Sequence, residues 1–98
     1  MSYKLKFLPS ALKEWEKLDS SIQKQLKKKL KERLINPRVP GSELRGFKNY
    51  YKIKLRSSGY RLVYEVVDEE IYILVIVIGK RNRNEVYKQA KKRYGGNI

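Results

Sequence analysis

Eight consecutive residues, Ile71-Tyr72-Ile73-Leu74-Val75-Ile76-Val77-Ile78, form an almost unbroken apolar run between Asp68-Glu69-Glu70 and Gly79. A run this short and this rich in β-branched side chains predicts a strand rather than a helix. Both of its faces are apolar, so it belongs inside a sheet that is covered on each side. The rest of the chain has to supply neighbouring strands and two covering layers.

The strands come first. Tyr51, Ile53 and Leu55 alternate with Lys52, Lys54 and Arg56, and Ser57-Ser58-Gly59 then leads into Tyr60-Arg61-Leu62-Val63-Tyr64. Side chains on a strand alternate between faces, so one face of this hairpin is apolar and the other carries cations about 7 Å apart. Strands at 50–56, 60–67 and 71–78 make an antiparallel meander, and a weaker alternation at 2–7 adds an N-terminal strand. If the hairpin closes with Ser58-Gly59 at its tip, Arg56 pairs with Arg61, Lys54 with Val63 and Lys52 with Glu65. Lys52, Lys54 and Arg61 then share a face.

Helical spacing supplies the cover. Pro9 suits a first turn, and Ala11, Leu12, Trp15 and Leu18 form a stripe over about 9–19. Ser20-Ser21-Ile22-Gln23 has the form of a capping box. Ile22, Leu26, Leu30 and Leu34 continue the helix until Asn36-Pro37 ends it. Residues 37–49 read as a loop with one brief strand near Leu44, and a last helix spans about 83–94 with Asn82 and Glu85 spaced as N-cap and N3. The expected fold is α+β: an N-terminal strand and a helix hairpin packed on an antiparallel sheet of three to four strands, with a C-terminal helix. At 98 residues the chain is expected to form a single domain, 1–98.

Charge and missing residues narrow the function. Twenty-four Lys and Arg against ten Asp and Glu give a net charge of +14, which makes a polyanion such as nucleic acid the expected partner. There is no long apolar stretch for a membrane span or a signal peptide, and no cysteine, so a cytoplasmic protein without a membrane partner is expected. The chain also has no histidine, so any chemistry falls to Lys, Arg and Tyr. The acids are scattered (Glu14, Glu16, Asp19, Glu32, Glu43, Glu65, Asp68 to Glu70, Glu85), which argues against a metal site, and no glycine-rich phosphate loop is present. No cofactor is expected. What remains is phosphoryl transfer on RNA, in which the substrate's own 2′-hydroxyl is the nucleophile and cations neutralise the transition state.

The candidates for that work are Lys52, Lys54 and Arg61 on one face, Arg81 beyond the end of the buried strand, and Tyr87 in the last helix. Each also has a plainer role. Lys52 opposite Glu65 makes an ordinary cross-strand pair, Lys54 and Arg61 suit a solvated sheet face, and Tyr87 shares a helical stripe with Ala90 and Tyr94. Their convergence is what singles them out, because like charges gathered on one patch repel unless an anion sits there.

Ala11-Leu12-Lys13-Glu14-Trp15, the segment from Tyr51 to Tyr64, and Val77-Ile78-Gly79-Lys80-Arg81 followed by Glu85-Val86-Tyr87 resemble the RelE toxins of the RelE/ParE superfamily. The resemblance implies a type II toxin–antitoxin toxin that cleaves mRNA in the ribosomal A site without a metal. It links Lys54, with Lys52 beside it, to activation of the 2′-hydroxyl, Arg61 to transition-state charge, Arg81 to the leaving 5′-oxygen, and Tyr87 to orienting the nucleotide. It implies RNA or ribosome contacts at Arg45, Arg56, Lys80 and Arg83. The helix of 20–36, with Lys24, Lys27, Lys28, Lys29, Lys31 and Arg33, is the expected surface toward ribosomal RNA. A RelB-like antitoxin and, through it, operator DNA complete the implied partners. The alternatives are a non-catalytic ParE-like gyrase inhibitor and a plain basic RNA-binding module.

Overall fold

The computed structural model describes residues 2–80 and 85–96, with backbone alone at 85, 86 and 94–96. In chain order the elements are β1 (Lys4–Phe7), α1 (Pro9–Glu16), α2 (Ser20–Ile35), β2 (Tyr50–Lys54), β3 (Tyr60–Val67), β4 (Tyr72–Lys80) and α3 (Glu85–Gly96). The α+β architecture is the expected one. The sheet runs β1-β4-β3-β2, so the apolar run is internal, as its sequence requires. β2, β3 and β4 are antiparallel, whereas β1 lies parallel to β4, which makes the sheet mixed rather than purely antiparallel.

Two cores cover the two faces. On one, Ala11, Ile22, Leu26 and Leu30 from the helix pair pack on Ile53, Leu62, Tyr64, Val66, Ile73 and Val75. On the other, Ala90 of α3 packs with Tyr50, Val63, Ile76 and Val77, and Tyr87 sits against them. Full cover is confined to the upper half of β4: Val75 to Ile78 are buried, while Tyr72 and Leu74 are half-buried.

Several local expectations change. β4 starts at Tyr72 rather than Ile71, because Ile71 adopts a left-handed turn conformation (φ 57°) that a β-branched residue occupies only under constraint. The capping box does not form. Asp19 is the N-cap of α2 without a side-chain cap bond, and Gln23 Nε2 donates instead to the Trp15 carbonyl of α1 (2.7 Å), which also accepts the Leu18 N–H (3.1 Å). The brief strand near Leu44 is a single bridge, Glu43 to Tyr51. The Asn82 cap lies outside the described residues.

Candidate functional site

Hairpin register decides which cations meet. Lys54 pairs with Arg61, Lys52 with Val63 and Tyr50 with Glu65, a slip of two residues from the expected pairing. The cause is a longer loop. Leu55 N–H bonds to the Tyr60 carbonyl and Gly59 N–H to the Leu55 carbonyl (both 2.8 Å), with Gly59 at φ +79°, so residues 55–59 all belong to the turn. A slip of two preserves side-chain faces, so Lys52, Lys54 and Arg61 still share one side. The expected Lys52–Glu65 pairing is replaced by Tyr50–Glu65, and Lys52 and Glu65 form no ion pair. Glu65 is instead half-buried, and burial raises its carboxyl above the usual range.

The shared face is the one that α3 covers. Lys52 Nζ lies 5.8 Å from the centre of the Tyr87 ring, close enough for a cation–π contact. The Tyr87 hydroxyl is buried and has no hydrogen-bond partner among the described residues. Burial raises its pKa, and the charge of Arg61 opposes that rise with the smaller effect. Desolvation outweighs the neighbouring cation, so Tyr87 is a neutral phenol at neutral pH. Gly79 stands opposite Arg61 on β4.

The remaining predicted residues divide. Lys54 and Arg56 are exposed, and with Leu55, Gly59 and Arg61 they line a cleft of about 210 Å³ at the hairpin end. Lys80 pairs with Tyr60, lies on the opposite face from Arg61, and places Nζ 5.7 Å from the Tyr60 ring. Arg45 is exposed in the loop before Gly46 and lines none of these clefts. Lys24 and Lys27 border an apolar groove with Leu5, Phe7, Trp15 and Leu30, away from the cation pair, while Lys28 and Lys31 are exposed on α2. Arg81 and Arg83 lie outside the described residues. Among the described residues no three His, Cys, Asp or Glu side chains converge on one point.

Arg33 departs from the expected RNA-facing surface of α2. Arg33 follows Leu30 by three residues, on the inner stripe of α2, and is half-buried. Its Nη1 donates to the Tyr64 hydroxyl (2.8 Å) and the Lys52 carbonyl (3.3 Å), and its Nη2 to Ser42 Oγ (3.4 Å). The spacing from Ile22, Leu26 and Leu30 was the available signal: an arginine on a core-facing stripe needs acceptors.

A family model described as the ParE toxin of the type II toxin–antitoxin system parDE matches residues 5–85. The mRNA interferase toxin RelE of Escherichia coli K12 is 58% identical over 93 residues, covering 95% of this chain and 98% of that protein. The chain belongs to the RelE toxin family. Among solved structures, the E. coli RelE toxin in the free state, as a double arginine-to-alanine mutant, superposes with a TM-score of 0.87 at 56% identity, covering 95% of this chain and 98% of the other. The toxin in the intact E. coli RelBE toxin–antitoxin complex gives 0.81 at 56% identity, covering 84% and 100%. RelE membership makes this protein a toxin of the type II toxin–antitoxin class with endoribonuclease activity. No described helix is long and apolar enough to cross a membrane.

Proposed function

We propose that this RelE toxin is a ribosome-dependent mRNA interferase that cuts the message in the A site, in the cytoplasm, by metal-independent attack of the 2′-hydroxyl. The observation that carries the reading is the direct Lys54–Arg61 pair, with Lys52 two residues away on the same face beside the Tyr87 ring. In this reaction the 2′-oxygen bonds to phosphorus as the bond to the 5′-oxygen breaks. The 2′-hydroxyl loses its proton, the leaving 5′-oxygen gains one, and the products are a 2′,3′-cyclic phosphate and a 5′-hydroxyl. Lys54 and Lys52 serve the first proton and Arg61 the charge that develops on the phosphoryl oxygens, where preorganised cations are most effective. Arg81 serves the leaving oxygen by its place in the family motif. The Tyr87 ring is a platform that orients the nucleotide. No step draws on a cofactor. Arg45, Arg56, Lys80, Arg83 and the α2 lysines Lys24, Lys27, Lys28 and Lys31 contribute charge toward RNA. A RelB-like antitoxin neutralises the toxin, as the solved RelBE complex of the E. coli relative suggests, and carries the pair to operator DNA.

Ribosomes paused on a defined message with an empty A site test this, with cuts mapped by primer extension. A cut in the A-site codon is expected, absent without ribosomes, absent with Arg61→Ala, and absent when the nucleotide 5′ to the cut is 2′-deoxy. Cleavage of the deoxy message would overturn 2′-hydroxyl attack. An intact message together with growth arrest and DNA damage would point to gyrase instead.

A further inference from the structure

A second cationic cleft of about 470 Å³ lies between α2 and the outer edge of β2, lined by Lys29, Arg33, Gly41, Ser42, Lys52, Lys54 and Arg56. Five of its seven lining residues are cations and none is an acid. The described ion pairs are Arg38–Asp68 and Arg93–Glu14, so Lys29, Arg33, Lys52 and Arg56 are all without a described carboxylate partner. Two acids adjoin lining residues in sequence: Glu43 accepts the Gly41 N–H (2.8 Å), and Glu32, next to Arg33, is exposed on α2 and forms no described ion pair.

The cleft is built rather than fortuitous. Arg33 is held in place from three sides: the Tyr64 hydroxyl, the Lys52 carbonyl and Ser42 Oγ. Tyr64 is itself fully buried, and its hydroxyl donates a hydrogen bond to the Pro37 carbonyl (2.6 Å). Arg33 Nε–H makes no hydrogen bond among the described residues, so a fixed guanidinium keeps a donor in hand. A preorganised cation loses little entropy on meeting an anion.

Its position identifies the anion. Lys54 and Arg56 line both this cleft and the smaller one that contains Arg61. The two clefts therefore form one cationic track, Arg61 to Lys54 and Arg56 to Lys29 and Arg33. Lys52 and Lys54 stand about 7 Å apart on one face of β2, and Arg56 follows them in the turn, an order suited to following a single-stranded backbone. We propose that the Lys29–Arg33–Arg56 cleft is a phosphate subsite for the RNA strand being cut, holding a phosphodiester next to the scissile one. Lys29 and Arg33 thus turn toward substrate, while Lys24 and Lys27 border a separate groove. The inference deepens the ribonuclease reading and rests on it for the placing of the scissile phosphate at Lys54 and Arg61.

Binding rather than cleavage tests it, so that a failed cleavage assay leaves the result interpretable. Fluorescence anisotropy with labelled, uncleavable 2′-deoxy-substituted RNA trinucleotides and tetranucleotides is run across a salt series. The intact toxin is compared with Lys29→Ala, which changes an exposed side chain, and with Arg33→Lys, which keeps the charge but loses the fork; circular dichroism checks folding. Lys29→Ala is expected to weaken oligonucleotide binding roughly fivefold to tenfold at 50 mM salt and to reduce the log–log salt slope by about 0.7, one phosphate's share. Arg33→Lys is expected to weaken it less. A parallel titration against vacant ribosomes separates the sources. Loss there with oligonucleotide binding unchanged would overturn a message-strand subsite and assign the phosphate to ribosomal RNA. Folded variants with unchanged affinity and salt slope in both arms would overturn the phosphate site altogether.

Discussion

Arg93 of α3 grips Glu14 of α1 with both arms of its guanidinium, Nη1 to Oε1 at 3.1 Å and Nη2 to Oε2 at 3.2 Å. The pair closes a gap in the sheet. β1 accompanies β4 only as far as Val75, and at the bulge the partner of β3 jumps from Val77 to Val75, passing over Ile76. Beyond that point Arg93 donates to the Ile76 carbonyl (2.5 Å), and Glu14 accepts the Ile78 N–H (3.1 Å). Two side chains from distant helices thus satisfy backbone groups that a longer β1 would have paired, and they anchor the helix that carries Tyr87.

Replacing Glu14 with Ala leaves Arg93 and the Ile78 N–H without that partner. Such losses at partly buried groups cost about 1–3 kcal/mol. Urea unfolding is expected to show that loss, and amide exchange to show faster opening in α3 than in β3.

Tyr87→Phe and Tyr87→Ala separate ring from hydroxyl. The hydroxyl is buried with no partner among the described residues, so the phenylalanine variant is expected to be at least as stable as the parent and to keep most of its cleavage. The alanine variant loses the platform and is expected to cleave roughly 100-fold more slowly. A large loss of cleavage with phenylalanine would give the hydroxyl a direct role.

The half-buried Glu65 supplies a pH signature. Its carboxyl is raised by burial, so the folded state prefers it protonated. That preference is fully present below the unfolded value near 4.3 and is lost as pH rises through the higher folded value. Glu65→Gln is therefore expected to raise the melting temperature at pH 7 and to give no gain at pH 3.5, as read by thermal denaturation at both.

Tyr64→Phe removes a hub, because the hydroxyl both accepts from Arg33 and donates to the Pro37 carbonyl. A destabilisation of about 1–3 kcal/mol is expected in denaturant unfolding. Arg33 loses one of its three anchors, so weaker binding of the uncleavable oligonucleotide should accompany it.

Ile71 is exposed and sits at φ 57°, where a β-branched residue is disfavoured by roughly 1–2 kcal/mol. Ile71→Gly is expected to recover part of that, with the melting point rising and cleavage unchanged.

By itself the sequence determined the α+β class, the internal position of the apolar strand, and the sharing of a face by Lys52, Lys54 and Arg61. These follow from local periodicity, and side-chain alternation survives a two-residue slip. The pairing of Lys54 with Arg61, the parallel addition of β1, the raised pKa of Tyr87 and the inward turn of Arg33 came only with the tertiary structure. Register depends on how the 55–59 turn closes, and pKa depends on which helix lies over the group. Neither has a counterpart in the order of residues along one segment. The Glu14–Arg93 clasp joins residues far apart in the chain, and it meets backbone groups of β4 that lie beyond the end of β1.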